Sequence, residues 1–178
     1  RIEMARDLKL TEKQKEKAIQ QNRSNEKANQ EAAAYISQRM GISPENVSGT
    51  DKFKYRLWKE SNERCPYTGK LIPLSSLFDD GVVDIEHIIP YSRCYDDSYM
   101  NKTICDAKFN REVKLNRAPG GIFDTESEEH YQLMQRISCL PRGKQRKFTM
   151  TAEQLNTTDW VGRQLSDTRY ICREARGY

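Results

Sequence analysis

The chain has little apolar material, and several patterns that mark whole protein classes are missing from it. Hydrophobic residues make up 36% of the sequence, charged residues 31%, and the mean hydropathy is −0.92. That is too little for one compact globule without arms, so a small packed core with long solvated helices is expected. No apolar run approaches the ~20 residues of a membrane span. No signal-peptide pattern opens the chain. Charge of one sign is not in large excess either: the formal net charge is +4, which alone is weak support for a polyanionic partner. The five cysteines, Cys65, Cys94, Cys105, Cys139 and Cys172, form no C-x-x-C pair. An odd count without paired spacing argues against a disulfide framework and against a structural zinc. Buried thiols in a reducing, intracellular compartment are expected instead. No internal repeat is present. The first residue is not Met and the last residues are helix-like, so a piece of a larger protein is expected.

The organisation follows from the punctuation. Residues 7–40 are rich in Lys, Glu, Gln, Asn and Ala without a continuous apolar stripe, which reads as a long exposed helix or connector stopped at Gly41-Ile-Ser-Pro44. Asp51 is expected to cap a short helix through Ser61, with Phe53, Leu57 and Trp58 on one side. Cys65–Gly69 and Asp79–Gly81 are turn sequences. Val82–Ile89 reads as a strand and Asn101–Cys105 as the next. Asp106 then caps a helix to about Asn116, ended by Pro119-Gly-Gly121. Thr125–Glu128 has the capping-box pattern for a helix to about Cys139, and Leu140–Gly143 breaks it. Asp159 is expected to cap a last helix through Arg176. The fold class implied is α+β and mostly helical, with a strand–loop–strand–helix centre between flanking helices.

The chemistry concentrates in that centre. Asp84-Ile-Glu86-His87-Ile-Ile-Pro90 holds one of only two histidines, and Asn101-Lys102 and Asn110-Arg111 follow it. Hydrolysis of a phosphodiester needs an attacking water, a base and a cation to stabilise the leaving oxygen. His87 suits the base, because imidazole is neutral and basic near physiological pH. Glu86 and Asn110 offer carboxylate and amide oxygens to a hard cation such as Mg²⁺, which needs only one or two protein ligands. Adjacent strand residues point to opposite faces, so Glu86 and His87 diverge, an arrangement that in-line attack tolerates. Asp84 shares the Glu86 face as a supporting or alternative ligand, and Asn101 is expected to fix the loop by hydrogen bonding. At helical spacing Asn110, Lys114 and Arg117 share one face turned to a phosphate backbone, while Phe109 and Val113 pack the other side against the strands. Lys102, Lys108, Arg111, Lys114 and Arg117 are thus the candidate nucleic-acid contacts. A second basic cluster, Arg142, Lys144, Arg146 and Lys147, fits solvated surface as well as it fits nucleic acid. His130, beside Glu128 and Glu129 at a helix start, reads as an ordinary exposed residue. Tyr91, Tyr95 and Tyr99 lie close to the motif in sequence.

At these residues the chain resembles an HNH nuclease of the ββα-metal kind. The longer string from Asp84 to Pro119 is similar to the HNH domain of the CRISPR-associated type II RNA-guided DNA endonucleases, in a compact subtype (II-C). Arg1–Arg6 resembles that family's second RuvC segment, with Glu3 at a metal-ligand position, and Arg163–Ile171 resembles the entry to the third. The resemblance implies residues 1–10 as the end of a RuvC-like segment and 11–50 as a linker helix. It implies 51–147 as the HNH domain, 148–158 as a second linker and 159–178 as the start of a RuvC-like helix, with the linkers as hinges. It also implies cleavage of the DNA strand paired with guide RNA, with Mg²⁺ (or Mn²⁺), His87 as base, and Glu86 and Asn110 on the metal. Relatives often carry Asp where this chain has Glu86, and the longer carboxylate shifts the metal's reach. Further implied are the remaining lobes of the same enzyme as partner, a prokaryotic cytoplasm as location, and no membrane. An exposed HNH site is also a natural target for an inhibitor protein that plugs it. Two other readings use the same residues: a free-standing HNH nickase of a mobile element, and a nucleic-acid-binding module without catalysis.

Overall fold

A computed structural model describes residues 12–158. The expected RuvC-like ends, Glu3, Cys172 and the helix capped by Asp159 lie outside these residues. The order is α1 (Glu12–Met40), α2 (Gly49–Glu60), α3 (Leu74–Leu77), β1 (Val83–His87), α4 (Tyr91–Cys94), β2 (Lys102–Asp106), α5 (Ala107–Phe109), α6 (Glu128–Ile137), α7 (Arg142–Phe148) and α8 (Ala152–Thr157). The fold is therefore mostly helical around one small sheet, as the sequence led us to expect. Single 3-10 turns stand at Pro44–Asn46, Tyr99–Asn101 and Pro119–Gly121.

The long polar helix forms, but its last turns are not an exposed connector. Ala32, Ala33 and Ile36 are buried, and the Tyr35 ring packs at a tilt against Tyr55 of α2, with 5.1 Å between centroids. Small side chains at these positions let α2 approach closely, a short stripe that the polar first two-thirds of the helix obscures. Gly41 ends α1 with φ +67, the left-handed conformation that glycine adopts without steric cost. Ser48, rather than Asp51, caps α2: its Oγ accepts the Asp51 N–H at 3.0 Å, while Asp51 reaches back from the first turn. Leu57 and Trp58 then enter the core, and the Trp58 indole N–H donates to Ile72 O at 2.8 Å.

The two strands pair antiparallel in the register Asp84↔Cys105, Ile85↔Ile104, Glu86↔Thr103 and His87↔Lys102. The loop Cys65–Gly69 packs under them. Cys65 Sγ lies 3.9 Å from Cys105 Sγ and accepts the Asp106 N–H at 3.3 Å. Tyr67 is buried beside Phe109 and Phe148, at 5.5 and 5.2 Å between ring centroids. Cys65, Cys94 and Cys105 are buried as expected, whereas Cys139 is exposed. Ser127, not Thr125, caps α6, because Asp124 already folds the preceding turn through its carbonyl and carboxylate. The break at Leu140–Gly143 is brief: Pro141 caps α7, whose Phe148 joins the main core. Residues 148–158, the expected second linker, have structure of their own. They contain α8, and Leu155 is buried in a second small cluster with Ile89, Cys94 and Ala118.

Candidate active site

The site is assembled by three pieces of chain on β1. The first is α5 and its continuation. Asp106 ends β2 and caps α5 as expected, its carboxylate accepting the Phe109 N–H at 3.1 Å. The helix does not run on to Asn116 in regular form. Asn110–Lys114 is a π-turn, closed by the Leu115 N–H donating to Asn110 O at 2.9 Å, and Leu115 leaves it with φ 47. The wider turn takes one extra residue, so side chains do not keep α-helical spacing. Val113 ends up exposed rather than packed, while Phe109 keeps its place between Tyr67 and Phe123.

Lys114 moves furthest from its expected place. It is fully buried, and its ammonium donates to Glu86 Oε1 at 2.9 Å and to His87 O at 3.4 Å. It is therefore an internal counter-ion and not a phosphate contact. Lys102 is likewise withdrawn: its side chain is 17% exposed, bonds Asp97 at 2.8 Å and lies over the Phe53 ring. In the second basic cluster Lys144 is buried against Glu60 and the Tyr99 ring, and Lys147 bonds Asp96 at 2.6 Å. Lys108, Arg111, Arg117, Arg142 and Arg146 remain exposed. Arg117 donates to Gly121 O, and the Arg111 guanidinium bonds Asp84 at 2.9 Å.

Asp84 and Glu86 share one face of β1, the face covered by the π-turn. Asn110 Nδ2 donates to Asp84 Oδ2 at 3.2 Å. An ionised carboxylate only accepts, so this bond fixes the amide with its oxygen turned away from Asp84. Asp84 thereby acts as an orienting group with both oxygens engaged. Among the described residues, Glu86 Oε2 and Asn110 Oδ1 are left without a hydrogen bond or ion pair. An all-oxygen pair of this kind fits a hard divalent cation that keeps several waters. No cluster of three or more His, Cys, Asp and Glu is present among the described residues, so any such ion would lean on the asparagine amide.

The second piece is the loop between the strands. Asn101 is fully buried, and its amide locks the loop: it accepts the Ile89 N–H at 3.1 Å and donates to Ile89 O at 2.9 Å and Asp96 O at 2.8 Å. Leaving such backbone groups unpaired in the interior is costly, so the position favours a side chain that both donates and accepts. The third piece is the Asp96-Asp97 pair on that loop. His87 turns away from Glu86, and its Nε2 lies 2.8 Å from Asp97 Oδ1, with the Tyr91 ring at 5.6 Å. Sequence reasoning passed over Asp97. The available signal was an adjacent acidic pair in the loop that joins the histidine strand to Asn101.

Three carboxyls around this centre are held below the usual aspartate range. The Lys70 hydrogen bond does this for Asp106, and the Lys102 and His87 bonds do it for Asp97. Burial pushes Asp96 up, but hydrogen bonds from Lys147 and Ser98 outweigh it. A depressed folded-state pKa contributes stability that is complete above the unfolded value, near about 4, and is lost as pH falls through the folded value. Melting temperature is therefore expected to hold from neutrality to about pH 4 and to drop below it. Thermal melts across that range check this; a level profile down to about pH 2 would contradict it.

An HNH endonuclease family model matches residues 65–120, the stretch holding both strands, the loop and the π-turn. The chain is 35% identical over 133 residues to the CRISPR-associated endonuclease Cas9 of Campylobacter jejuni, covering 74% of the chain and 13% of that protein. It is 32% identical over 188 residues to CRISPR-associated endonuclease Cas9 1 of Streptococcus thermophilus, covering 97% of the chain and 16% of that protein. The chain thus spans a small part of these relatives' length. A crystal structure of Streptococcus thermophilus Cas9 in complex with the AGAA PAM superposes on 96% of the chain with TM-score 0.69 and 30% identity. Another, in complex with the GGAA PAM, gives TM-score 0.71 at 26% identity over 96% of the chain.

Proposed function

The chain belongs to the Cas9 endonuclease family and carries its HNH endonuclease domain, and from that premise we propose that it hydrolyses the DNA strand paired with guide RNA inside a longer RNA-guided enzyme. The observation that carries the reading is that one strand, β1, holds the His87 ring against Asp97 on one side and carries two unengaged oxygens, Glu86 Oε2 and Asn110 Oδ1, on its Asp84–Glu86 face. His87 takes the proton of the attacking water. Asp97 holds the ring, and the buried Asn101 holds the loop that carries Asp97. Lys114 balances the charge of Glu86 and leaves one of its oxygens available. Asp84 turns the Asn110 oxygen outward. Glu86 and Asn110 would hold Mg²⁺, which when bound supplies positive charge for the leaving oxygen. Exposed Lys108, Arg111 and Arg117 are the remaining candidates for backbone phosphates.

Among the described residues no helix is long and apolar enough to cross a membrane. The prokaryotic cytoplasm, the guide RNA and target DNA, the other lobes of the enzyme and an inhibitor protein seated over His87 complete the proposed setting.

Metal dependence tests the reading. Excess chelator should stop cleavage and Mg²⁺ should restore it. Asn110→Ala should need a much higher Mg²⁺ concentration, about tenfold or more if the amide is one of very few ligands, while Asn110→Asp keeps an oxygen in place. Cleavage that persists in chelator, or an Asn110→Ala variant with an unaltered Mg²⁺ requirement, would refute it.

A further inference from the structure

We infer that Asp97 is the positioning residue of this site: its carboxylate accepts the Nε2–H of His87, fixes that tautomer, and leaves Nδ1 as the nitrogen that receives the proton. The inference rests on the reading of His87 as the base and adds which ring nitrogen acts and what selects it.

The geometry is specific. Asp97 Oδ1 lies 2.8 Å from His87 Nε2 and 2.8 Å from Lys102 Nζ. His87 and Lys102 are opposed in the strand register, so one carboxylate oxygen closes a bridge across the end of the sheet. A neutral imidazole has one donor and one acceptor nitrogen, and its partner decides which is which. An ionised carboxylate cannot donate, so the nitrogen facing it must carry the proton. Among the described residues Nδ1 has no hydrogen-bond partner. The lone pair therefore sits on the unengaged nitrogen.

Asp97 is 66% exposed, and an exposed carboxylate held only by its ion pairs would be a weak guide. Its backbone supplies the missing constraint. On one side, Asp96 O accepts from the buried Asn101 amide at 2.8 Å, and Asp96 Oδ2 bonds Lys147 at 2.6 Å. On the other, the Ser98 N–H donates to Asp96 Oδ1 at 2.9 Å, and Ser98 O accepts the Asn101 N–H at 2.9 Å. Both neighbours of Asp97 are thus tied down. Lys102 and His87 keep its carboxyl ionised, so its acceptor role is steady. Carboxylate–imidazole pairs orient the ring in the same way elsewhere in hydrolytic and metal sites.

The test combines a spectrum with a rate. Long-range ¹H–¹⁵N spectra of the full chain distinguish the two ring nitrogens, and the chain's only other histidine, His130, is removed from the assignment by a His87→Ala control. Native protein should show His87 protonated at Nε2. Asp97→Ala should give a mixture of tautomers, and Asp97→Asn, whose amide oxygen still accepts, should restore the Nε2–H form. In the full-length enzyme Asp97→Ala should slow single-turnover cleavage by about 10- to 100-fold, with substrate affinity unchanged, melting temperature lowered by no more than a few degrees because the pairs it loses are largely exposed, and most of the rate recovered in Asp97→Asn. If Asp97→Ala alters neither tautomer nor rate while His87→Ala abolishes cleavage, Asp97 has no such role and the nuclease reading stands. If His87→Ala itself cleaves normally, the reading of the base is what fails.

Discussion

Replacing His87 with Ala is expected to slow cleavage of the guide-paired strand by about 10²- to 10⁴-fold, the range that a positioned general base contributes. Folding should scarcely change. The ring is not part of the core: it sits at the sheet end, and its hydrogen bond goes to an exposed carboxylate. Exposed pairs of this kind contribute about 0–1 kcal/mol, so the melting temperature should stay within a few degrees. The two readouts together separate chemistry from stability. Single-turnover rates under saturating Mg²⁺ measure the first and a thermal melt the second. A large drop in melting temperature would mean that the histidine is structural and that any loss of activity is indirect.

The second large effect is expected at Lys114, and it falls on stability. Its ammonium is fully buried and paired with Glu86, which is itself 13% exposed. Lys114→Met fills the same space but leaves a carboxylate facing the interior without a counter-charge. Breaking a buried pair from one side costs about 3 kcal/mol or somewhat more, which for a domain of this size is a melting-temperature drop on the order of 10 °C. The double variant Glu86→Gln with Lys114→Met removes both charges and should recover most of that loss. If the single variant melts like the native chain, the ion pair is not the internal counter-charge described here.

These expectations also mark where the sequence was legible. The strand pair, the Asp106 cap and the locking role of Asn101 follow from local pattern: alternation, a capping aspartate, and an amide between two strands. Their boundaries moved by a residue or two, since Pro90 and the 3-10 turn at Tyr99–Asn101 trim the strand ends. Lys114 was misplaced for a definite reason. The helical period rightly puts it on one face with Asn110, but that face is turned to β1, where Asn110 meets Asp84 and Lys114 meets Glu86, and not to a phosphate backbone. Lys147 read as a free cation because its partner Asp96 sits far away in the chain, and Lys102 because its nearby partner Asp97 is brought onto it by a loop, at neither helical nor strand spacing. The same holds for Asp97 and His87. Charge pairing across the fold has no local signature, so a census of basic residues overestimates the surface left for nucleic acid. The buried end of α1 was hidden for a related reason: alanines fill the contact, and alanine carries almost no hydrophobic signal in a polar helix.

The central claim is that this site cuts one defined strand with His87 as base. The most direct measurement is strand-resolved cleavage of a guide-RNA–DNA heteroduplex carrying a displaced second strand, each DNA strand labelled separately, with native and His87→Ala forms of the full-length enzyme compared in Mg²⁺. The account predicts that the native enzyme cuts the guide-paired strand and that this product alone disappears in His87→Ala. Continued cutting of the paired strand by His87→Ala would contradict it.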